Sequence, residues 1–349
     1  MKSPLTVAYT LMELHKLYPL TISRGTQTTS ENLFVRLSDG VHEGVGELSP
    51  ATASAWTGSR GQAQLEAFLT PERLAELNPF DLERGMREAG IDPPARAALD
   101  VALWDLLAKE AGMPLYRLLG LPRRAVPTSV TIGINPPEVT RERVPEILRK
   151  DGARCLKIKL GSPEGRDADK AHFSAAAEAA APFGARLRVD ANGGWTPEEA
   201  IMMDAWLAER GVDYVEQPLA QGQEAELPAV FAARRLPLFL DESVPESSSI
   251  PGIADRCDGV NLKLMKTGGV TDALRLVATA RAHGLKTMIG CMSESSVAIA
   301  AGASLGALFD HIDLDSHLNL KPDPADGAPM VDGVVLPADR PGHGGRLLS

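Results

Sequence analysis

The chain has 349 residues, a formal net charge of −10 and 44% hydrophobic residues. These values are typical of a globular protein with more than one domain, and the acidic balance argues against nucleic-acid or anionic-membrane partners, because phosphate would be repelled. The cysteines Cys155, Cys257 and Cys291 are widely spaced, which excludes a disulfide framework. No signal-peptide pattern and no bilayer-length apolar run is found, so a cytoplasmic protein is expected.

The first third of the chain combines strand and helix patterns. Residues 6–19 predict one or two strands, residues 19–31 are polar and predict a loop, and residues 32–47 predict a hairpin with a turn of Asp-Gly type. Over residues 94–110 apolar positions cover more than one helical face, as in a buried helix. Residues 1–122 are therefore predicted to form an α+β domain.

From about residue 125 onward, short apolar runs alternate with helical stretches. The eight runs are 128–134, 155–160, 186–190, 214–217, 237–241, 259–263, 286–291 and 312–315. Repeated βα units of this kind predict a (β/α)8 barrel over residues 123–320. A doubly wound sheet is the alternative, but its phosphate-binding glycine fingerprint is absent. The segment 321–349 contains one short strand candidate and is predicted to return to the N-terminal domain.

Acidic residues end three consecutive predicted strands of the barrel. They are Asp190, Glu216 and Asp241. In a (β/α)8 barrel the carboxyl ends of the strands surround one mouth, where three carboxylates would repel each other unless a cation bound them. Hard oxygen ligands favour Mg²⁺ or Mn²⁺. The alternative is that each acid caps the helix that follows it.

Lysines lie on strands at both sides of these acids. Lys157 and Lys159 are two residues apart in the second predicted strand and face the same side, while Lys263 ends the sixth strand, across the barrel. A lysine base requires a pKa below its usual value, which a like-charged neighbour, a metal ion and partial burial favour. Lys159 is the predicted base and Lys157 the group that lowers its pKa. A structural ion pair is the alternative, and Lys266 is expected at the rim.

The order of these motifs resembles the muconate-lactonizing subgroup of the enolase superfamily, over almost the whole chain. The motifs are Lys-x-Lys at 157–159, Asp190, Glu-Gln-Pro at 216–218, Asp-Glu-Ser at 241–243 and Asn-x-Lys-x-x-Lys-x-Gly-Gly at 261–269. The resemblance implies an α+β capping domain on a modified (β/α)8 barrel. It also implies Mg²⁺-assisted removal of the proton α to a carboxylate. A lysine on each face of the substrate implies racemisation or epimerisation.

Other residues resemble the substrate contacts of dipeptide epimerases in that superfamily. Asp313 and Asp315 resemble the pair that holds the α-ammonium of a dipeptide, and Met292 and Ser293 lie in a similar segment after strand seven. Alternatively, the two acids are a helix cap and a salt bridge. Arg24 resembles the arginine that binds a glutamate side chain, which implies an acidic C-terminal residue as in L-Ala-L/D-Glu. A solvated loop arginine is the alternative.

Two further residues are expected to support the site indirectly. Glu242 follows Asp241 and is expected either to order Lys263 or a metal-bound water, or to lie in the first turn of the next helix. Asn192 and the glycines after it are expected to let the turn that follows Asp190 clear the site.

The sequence thus predicts a dipeptide epimerase that uses one Mg²⁺ per subunit, with Mn²⁺ as an alternative, and that forms a homo-oligomer. Its partner is a small dipeptide, with no nucleic acid and no membrane. The rivals on the same scaffold are o-succinylbenzoate synthesis, N-acylamino-acid racemisation and muconate cycloisomerisation. A non-catalytic binding protein that keeps the metal site is the remaining alternative. Loops 19–31 and 50–61 are expected to select the dipeptide side chains.

Overall fold

A computed structural model describes residues 5–348, without the side chains of Lys150 and Asp151. The N-terminal part is a three-stranded antiparallel sheet covered by helices. Its strands are β1 (Thr6–Ile22), β2 (Gly25–Ser38) and β3 (Glu43–Leu48), and its helices are α1 (Gly58–Phe68), α2 (Pro71–Ala75), α3 (Pro79–Glu88), α4 (Pro93–Glu110) and α5 (Leu115–Leu118). Helix α4 is buried on nearly all sides, as its sequence predicts, because it packs between this sheet and the barrel.

The loop predicted over residues 19–31 is wrong, because these residues form the end of a long hairpin arm. Strands β1 and β2 pair as far as Ile22 and Gly25, with an irregular register between His15 and Leu20. The tip bonds to the barrel, where Ser23 Oγ donates to the Asn192 carbonyl over 2.8 Å. Barrel contacts and strand pairing therefore stabilise an arm whose polar composition is typical of a loop.

The predicted eight-stranded parallel barrel is confirmed, with several strands one to three residues shorter than predicted. Its strands are β4 (Ser129–Ile132), β5 (Cys155–Lys159), β6 (Arg186–Asp190), β7 (Val212–Glu216), β8 (Leu238–Leu240), β9 (Gly259–Lys263), β10 (Lys286–Gly290) and β11 (His311–Ile312). Each strand pairs with its neighbour in sequence, and an isolated bridge from Thr128 to Ile312 closes the barrel.

Helices surround the barrel and bury its outer face. They are α6 (Pro137–Asp151), α7 (Arg166–Ala180), α8 (Pro197–Ala208), α9 (Leu227–Ala233), α10 (Leu264–Thr267), α11 (Val270–Ala282) and α12 (Ser296–Ser304). Short 3-10 turns cover Ala181–Phe183, Ser247–Gly252, Gly306–Leu308 and Ser316–Asn319. The helix predicted after the fifth barrel strand is therefore only the turn Ser247–Gly252, because serines and Pro251 disfavour a longer helix. No helix within residues 5–348 has the length and hydropathy needed to span a bilayer.

Local sequence signals fix the loop that follows β6. Thr196 begins α8 with a capping box, in which its hydroxyl accepts from the Glu199 amide and the Glu199 carboxylate accepts from the Thr196 amide. The buried Trp195 donates from Nε1 to Asp169 over 2.8 Å. Because both ends of the turn after Asp190 are held, the position of that carboxylate is fixed by rigid elements.

The C-terminal segment contacts both parts of the molecule. Its strands are β12 (Ala325–Asp326), β13 (Met330–Val331), β14 (Val334–Val335) and β15 (Arg346–Leu347). The β13–β14 hairpin joins the barrel through a hydrogen bond from the Thr128 amide to the Gly333 carbonyl. Further along, the His343 amide donates to Asp105 of α4 over 2.8 Å.

Two buried acids of the N-terminal part cap helices of the barrel. Asp100 of α4 accepts from the Thr271 amide and hydroxyl at the start of α11. Glu47 of β3 accepts from the amide and hydroxyl of Ser295 at the start of α12. Burial raises the pKa of each acid to about 7. At Gly269, whose φ is +113°, an added Cβ would lie 2.3 Å from Asp100 Oδ2, so this close approach requires glycine.

Candidate active site

A cavity of about 630 Å³ lies between the carboxyl ends of the barrel strands and the tip of the β1–β2 hairpin. This main cavity is lined by most of the residues predicted for the site. They are Arg24, Lys159, Asn192, Asp241, Glu242, Lys263, Met292 and Ser293. Cavities at this end of a barrel are the usual location of the active site.

The three predicted carboxylates lie at the ends of adjacent strands. Asp190 and Glu216 end β6 and β7, Asp241 follows β8 directly, and each is at most 1% exposed. Lys157 Nζ lies between the first two, at 3.2 Å from Asp190 Oδ2 and 2.8 Å from Glu216 Oε2. It also contacts Asp313 Oδ2 at 2.6 Å. One buried ammonium therefore neutralises part of a strongly acidic cluster.

Two lysines approach the cluster from opposite sides. Lys159 Nζ lies 2.6 Å from Asp190 Oδ2, and Lys263 Nζ lies 2.7 Å from Asp241 Oδ2. They end β5 and β9, which are four strands apart in either direction around the barrel. The mouth therefore has an ammonium on each side.

Lys266, expected at the rim, is instead buried and bonded to the cluster. Its Nζ lies 2.6 Å from Asp241 Oδ1, contacts the Asp241 carbonyl, and donates to the Asn261 carbonyl over 3.0 Å. The short helix α10 turns the chain back beneath the end of β9, and strand periodicity does not predict that turn. Asp241 therefore carries two ammonium partners.

Burial and charge act in opposite directions on these acids. Burial disfavours the charged form of Asp190, but the ammonium groups of Lys159 and Lys157 hold its pKa below the usual range. Burial likewise disfavours the charged form of Asp241, but the ammonium groups of Lys263 and Lys266 hold its pKa below the usual range. Burial and the neighbouring Asp190 raise the pKa of Glu216 to about 7. The pKa of Lys263 lies above its usual value, because Asp241 and Glu242 outweigh the effect of burial, so these side chains do not by themselves give the lowered pKa expected of a lysine base.

The donor chemistry of the cluster fits a hard divalent cation. Three buried carboxylates supply the oxygen ligands that Mg²⁺ prefers. Within residues 5–348 no three His, Cys, Asp or Glu side chains are already arranged around a common metal position, because ammonium groups lie between these carboxylates. Hydrogen bonds from neighbouring groups also orient the carboxylates. For example, Asn261 Nδ2 donates to Glu216 Oε1 over 2.8 Å. Such outer contacts are typical of metal ligands.

The two acids after β11 do not share one partner. Asp313 Oδ2 bonds to Lys157, while its buried Oδ1 makes no hydrogen bond with any described residue. Asp315 Oδ2 accepts from the Thr131 amide over 2.6 Å, and its Oδ1 lies 3.8 Å from the sulfur of Cys291. Burial and the nearby Asp313 raise the pKa of Asp315 to about 6.

The segment after β10 contacts the hairpin arm. Ser293 Oγ accepts from Lys16 Nζ over 2.5 Å and donates to Gln27 Oε1 over 2.9 Å. The Met292 amide donates to the buried Glu294 over 2.8 Å. Met292 and Ser293 thus lie where the two parts of the molecule meet at the cavity.

Arg24, at the hairpin tip, is paired with another predicted residue. Its Nη2 lies 2.7 Å from Glu242 Oε1, and its Nη1 donates to the Asn192 carbonyl over 2.9 Å. Asn192 Nδ2 also donates to Glu242 over 3.2 Å. Glu242 therefore bonds to Arg24 and Asn192, and its charge also raises the pKa of Lys263. The three residues link the arm to the barrel mouth.

Four residues at the site have no role in the sequence prediction. Gln217 holds the backbone beside Asp241, because its Oε1 accepts from the Asp241 amide over 2.9 Å. Asn261 orients Glu216, Lys16 contacts Ser293, and Glu294 is buried beside Met292. Gln217 and Asn261 lie within the motifs that carry the family resemblance, which is the signal that could have identified them. No sequence signal identifies Lys16.

Comparison with known proteins agrees with this geometry. Residues 6–120 match the family model "Mandelate racemase / muconate lactonizing enzyme, N-terminal domain", and residues 139–348 match "Enolase C-terminal domain-like". The chain is 59% identical over 342 residues, 98% of both chains, to a protein of Roseobacter litoralis named hydrophobic dipeptide epimerase. It is 54% identical over 335 residues, 96% of both chains, to one of the same name from Flavobacteria bacterium strain MS024-2A.

Solved structures agree as well. A substrate-liganded L-Ala-D/L-Glu epimerase from Bacillus subtilis superposes with a TM-score of 0.90 at 28% identity, over 98% of both chains. A dipeptide epimerase from Enterococcus faecalis V583, complexed with Mg and L-Leu-L-Tyr, superposes with a TM-score of 0.88 at 30% identity, over 99% of both chains. The predicted resemblance is confirmed, and the chain belongs to the mandelate racemase/muconate lactonizing enzyme family of the enolase superfamily.

Proposed function

We propose that this protein is a Mg²⁺-dependent isomerase that inverts the α-carbon of the C-terminal residue of hydrophobic dipeptides. The observation that carries the proposal is the pair Lys159 and Lys263, each ion-paired to a different buried carboxylate on opposite sides of one mouth. The high identity to two proteins named hydrophobic dipeptide epimerase supports the substrate class.

Asp190, Glu216 and Asp241 would hold the metal ion. When bound, Mg²⁺ supplies positive charge that stabilises the negative charge developing on the substrate carboxylate as the α-proton leaves. Lys157 would remain a fixed cation beneath the carboxylates, because it is fully buried and its pKa is well above the usual value, with Asp313 and Glu216 outweighing the effect of burial. It shares Asp190 Oδ2 with the proposed base Lys159, at 3.2 Å and 2.6 Å respectively.

Proton transfer would use one lysine on each face of the α-carbon. Lys159 would remove the proton from one stereoisomer and Lys263 would return a proton to the opposite face, with the roles exchanged in the reverse direction. Two opposed bases allow inversion, whereas a single base would return the proton to the face from which it came.

The substrate ammonium would bind at Asp313 and Asp315. Asp313 Oδ1 is buried and has no hydrogen-bond partner in the described part of the chain, so it is available to accept from an ammonium. N-acylamino acids and o-succinylbenzoate precursors lack this ammonium. Asp315→Asn leaves the ion pair between Asp313 and Lys157 in place, so it should impair only a dipeptide reaction, which separates the proposal from these rivals.

The cavity walls favour an apolar C-terminal residue over the acidic one expected from Arg24. Apolar side chains that line the main cavity include Ile22, Ala51, Trp56 and Met292. Because the Arg24 guanidinium is already paired with Glu242 at 2.7 Å, its charge is largely compensated. An acidic side chain would have to compete with Glu242 for it.

A dipeptide library incubated with enzyme and Mg²⁺ in D₂O tests the proposal by mass spectrometry. Ala-X peptides with apolar X should gain one deuteron and invert at X, Ala-Glu should react more slowly, and chelation of Mg²⁺ should abolish both changes. If no dipeptide gains a deuteron, the alternative of a non-catalytic binding protein would explain the site better than an epimerase. A homo-oligomer and a cytoplasmic location remain predictions.

A further inference from the structure

Another cavity, of about 400 Å³, lies at the opposite end of the barrel from the main cavity. Cys155, Arg186 and His311 are the first residues of β5, β6 and β11, and all three line it. Among the described residues, none lines both this amino-end cavity and the main cavity. A ligand bound in the amino-end cavity would therefore be separate from the proposed active site.

Three arginines line the amino-end cavity, and one of them is buried. Arg188 is only 2% exposed and lies on the same face of β6 as Asp190, so its side chain points into the barrel. Arg154 and Arg186 are exposed at the surface. Positive charge therefore extends from the opening of the cavity to the barrel interior.

The buried Arg188 guanidinium has less than one acidic partner. Its Nη1 donates to two uncharged acceptors, Ser129 Oγ over 2.7 Å and the Ile312 carbonyl over 3.2 Å. Its Nε lies 3.5 Å from Asp213 Oδ2 without a hydrogen bond, and Asp213 also pairs with Arg186 at 2.9 Å. The remaining nitrogen, Nη2, bonds to no described residue. A buried charge that shares its counter-ion is costly unless a further anion compensates it.

The other ionisable groups at the amino-end cavity leave an excess of positive charge. The side chain of Arg154 makes no hydrogen bond or ion pair with another described residue, and Asp310 is the one acid among the described wall residues. Burial and the charge of Arg188 lower the pKa of His311 to about 4, so this imidazole is uncharged at neutral pH. Three arginines therefore face two acids, Asp213 and Asp310.

The remaining walls of the amino-end cavity are largely apolar. They include Val126, Pro127, Ala153 and Phe183. Cys155 adds an uncharged thiol, because burial raises its pKa. The volume of about 400 Å³ lies within the range of roughly 300–1,000 Å³ that is typical of small-molecule sites. A matching ligand has an anionic group for the arginines and an apolar part for these walls.

We propose that the amino-end cavity binds a small organic phosphate, with the phosphate group at Arg154 and Arg188 and the apolar part against Phe183. Guanidinium groups suit phosphate because their planar N–H donors match its oxygens. A phosphate monoester has three terminal oxygens, so it can accept from both arginines at once. The buried guanidinium then gains the anion that it lacks. This site does not depend on the epimerase proposal.

Isothermal titration calorimetry of the full chain without Mg²⁺ tests the proposal, with phenyl phosphate as the probe. Wild-type protein should bind one phenyl phosphate per chain, about fivefold or more tightly than inorganic phosphate, because the ring is buried against apolar walls. Arg154→Gln and Arg188→Met should each weaken this binding about tenfold or more, because each removes charged hydrogen-bond donors. Arg154 is exposed, so its variant gives a result even if Arg188→Met folds poorly.

Arg84→Gln is the matched control, because it removes an exposed arginine that pairs with Asp81 in the N-terminal part. Lys263→Met removes a positive charge from the main cavity instead. In about 0.15 M salt both should bind phenyl phosphate within about twofold of wild type, because distant charges are screened. Absence of binding, equal affinity for inorganic phosphate, loss of binding in Lys263→Met, or unchanged binding in both Arg154→Gln and Arg188→Met would each overturn the proposal.

Discussion

Replacing Lys263 or Lys159 by methionine should separate removal of the α-proton from its return to the opposite face. Removing a general base typically lowers the rate about 10²–10⁴-fold, so epimerisation should fall by about 10³-fold in each variant. The remaining lysine should still exchange the α-proton of one stereoisomer. Lys159→Met and Lys263→Met should therefore exchange opposite stereoisomers.

The structure indicates that both variants will fold. Breaking a buried ion pair costs roughly 3–5 kcal/mol when it leaves an uncompensated charge. Without Lys263, Asp241 keeps Lys266 at 2.6 Å, and without Lys159, Asp190 keeps Lys157 at 3.2 Å. Because a second ammonium remains in each case, we expect a loss of only about 1–2 kcal/mol.

The assay is mass spectrometry of L-Ala-L-Leu and L-Ala-D-Leu incubated separately with each variant and Mg²⁺ in D₂O, with thermal unfolding measured in parallel. Lys266→Met is the matched control, because it also removes an ammonium from Asp241 but not a proposed base. It should keep exchange with both stereoisomers. Epimerisation within tenfold of wild type in either base variant, or exchange of the same stereoisomer by both, would refute the two-base reasoning.

Three other changes test different parts of the structure. Lys157→Met removes the ammonium shared by Asp313, Glu216 and Asp190, so unfolding free energy should fall by about 3–5 kcal/mol, with partial recovery in Mg²⁺, as measured by denaturant titration. Gly269→Ala should lower the melting temperature, because its Cβ would lie 2.3 Å from Asp100 Oδ2, whereas Gly284→Ala, also at positive φ but with open space around it, should cost less. The pKa of Glu47 is raised from 4.5 to about 7, so the folded protein binds more protons than the unfolded chain between these values, and stability decreases as pH rises through that window. The total decrease in unfolding free energy across this window should be as much as about 3 kcal/mol, and it should be absent in Glu47→Gln. Denaturant titrations at several pH values measure it, and the same pH dependence in both proteins would show that Glu47 ionises normally.

The barrel was predictable because its strands are buried on both sides and end at polar turns. Asp190, for example, ends a run that reads as a buried strand, and the capping box at Thr196 marks the next helix. The opposition of Lys159 and Lys263 follows from strand order alone. These features depend on local periodicity and on the fixed geometry of a closed barrel.

The hairpin arm was not predictable in the same way. Its residues 19–31 have a polar composition, and what orders them is contact with the barrel, such as the bond from Ser23 to the Asn192 carbonyl. The partners of Arg24 and Lys266 likewise depend on where side chains from distant segments meet. Sequence spacing predicts which face a residue occupies but not which neighbour neutralises its charge.

The two acids that cap helices across the domain boundary have a consequence for folding. Asp100 and Glu47 belong to the N-terminal part, yet α11 and α12 of the barrel begin on their oxygens. When the N-terminal part is unfolded, the amides at the starts of α11 and α12 lose these carboxylate acceptors. The two acids then lose the amide and hydroxyl donors that compensate their burial. Cooperativity therefore extends across the boundary, and calorimetry should record one unfolding transition. For the same reason, a chimaera that grafts this barrel onto a relative's capping domain will fold well only if it retains acids at both positions.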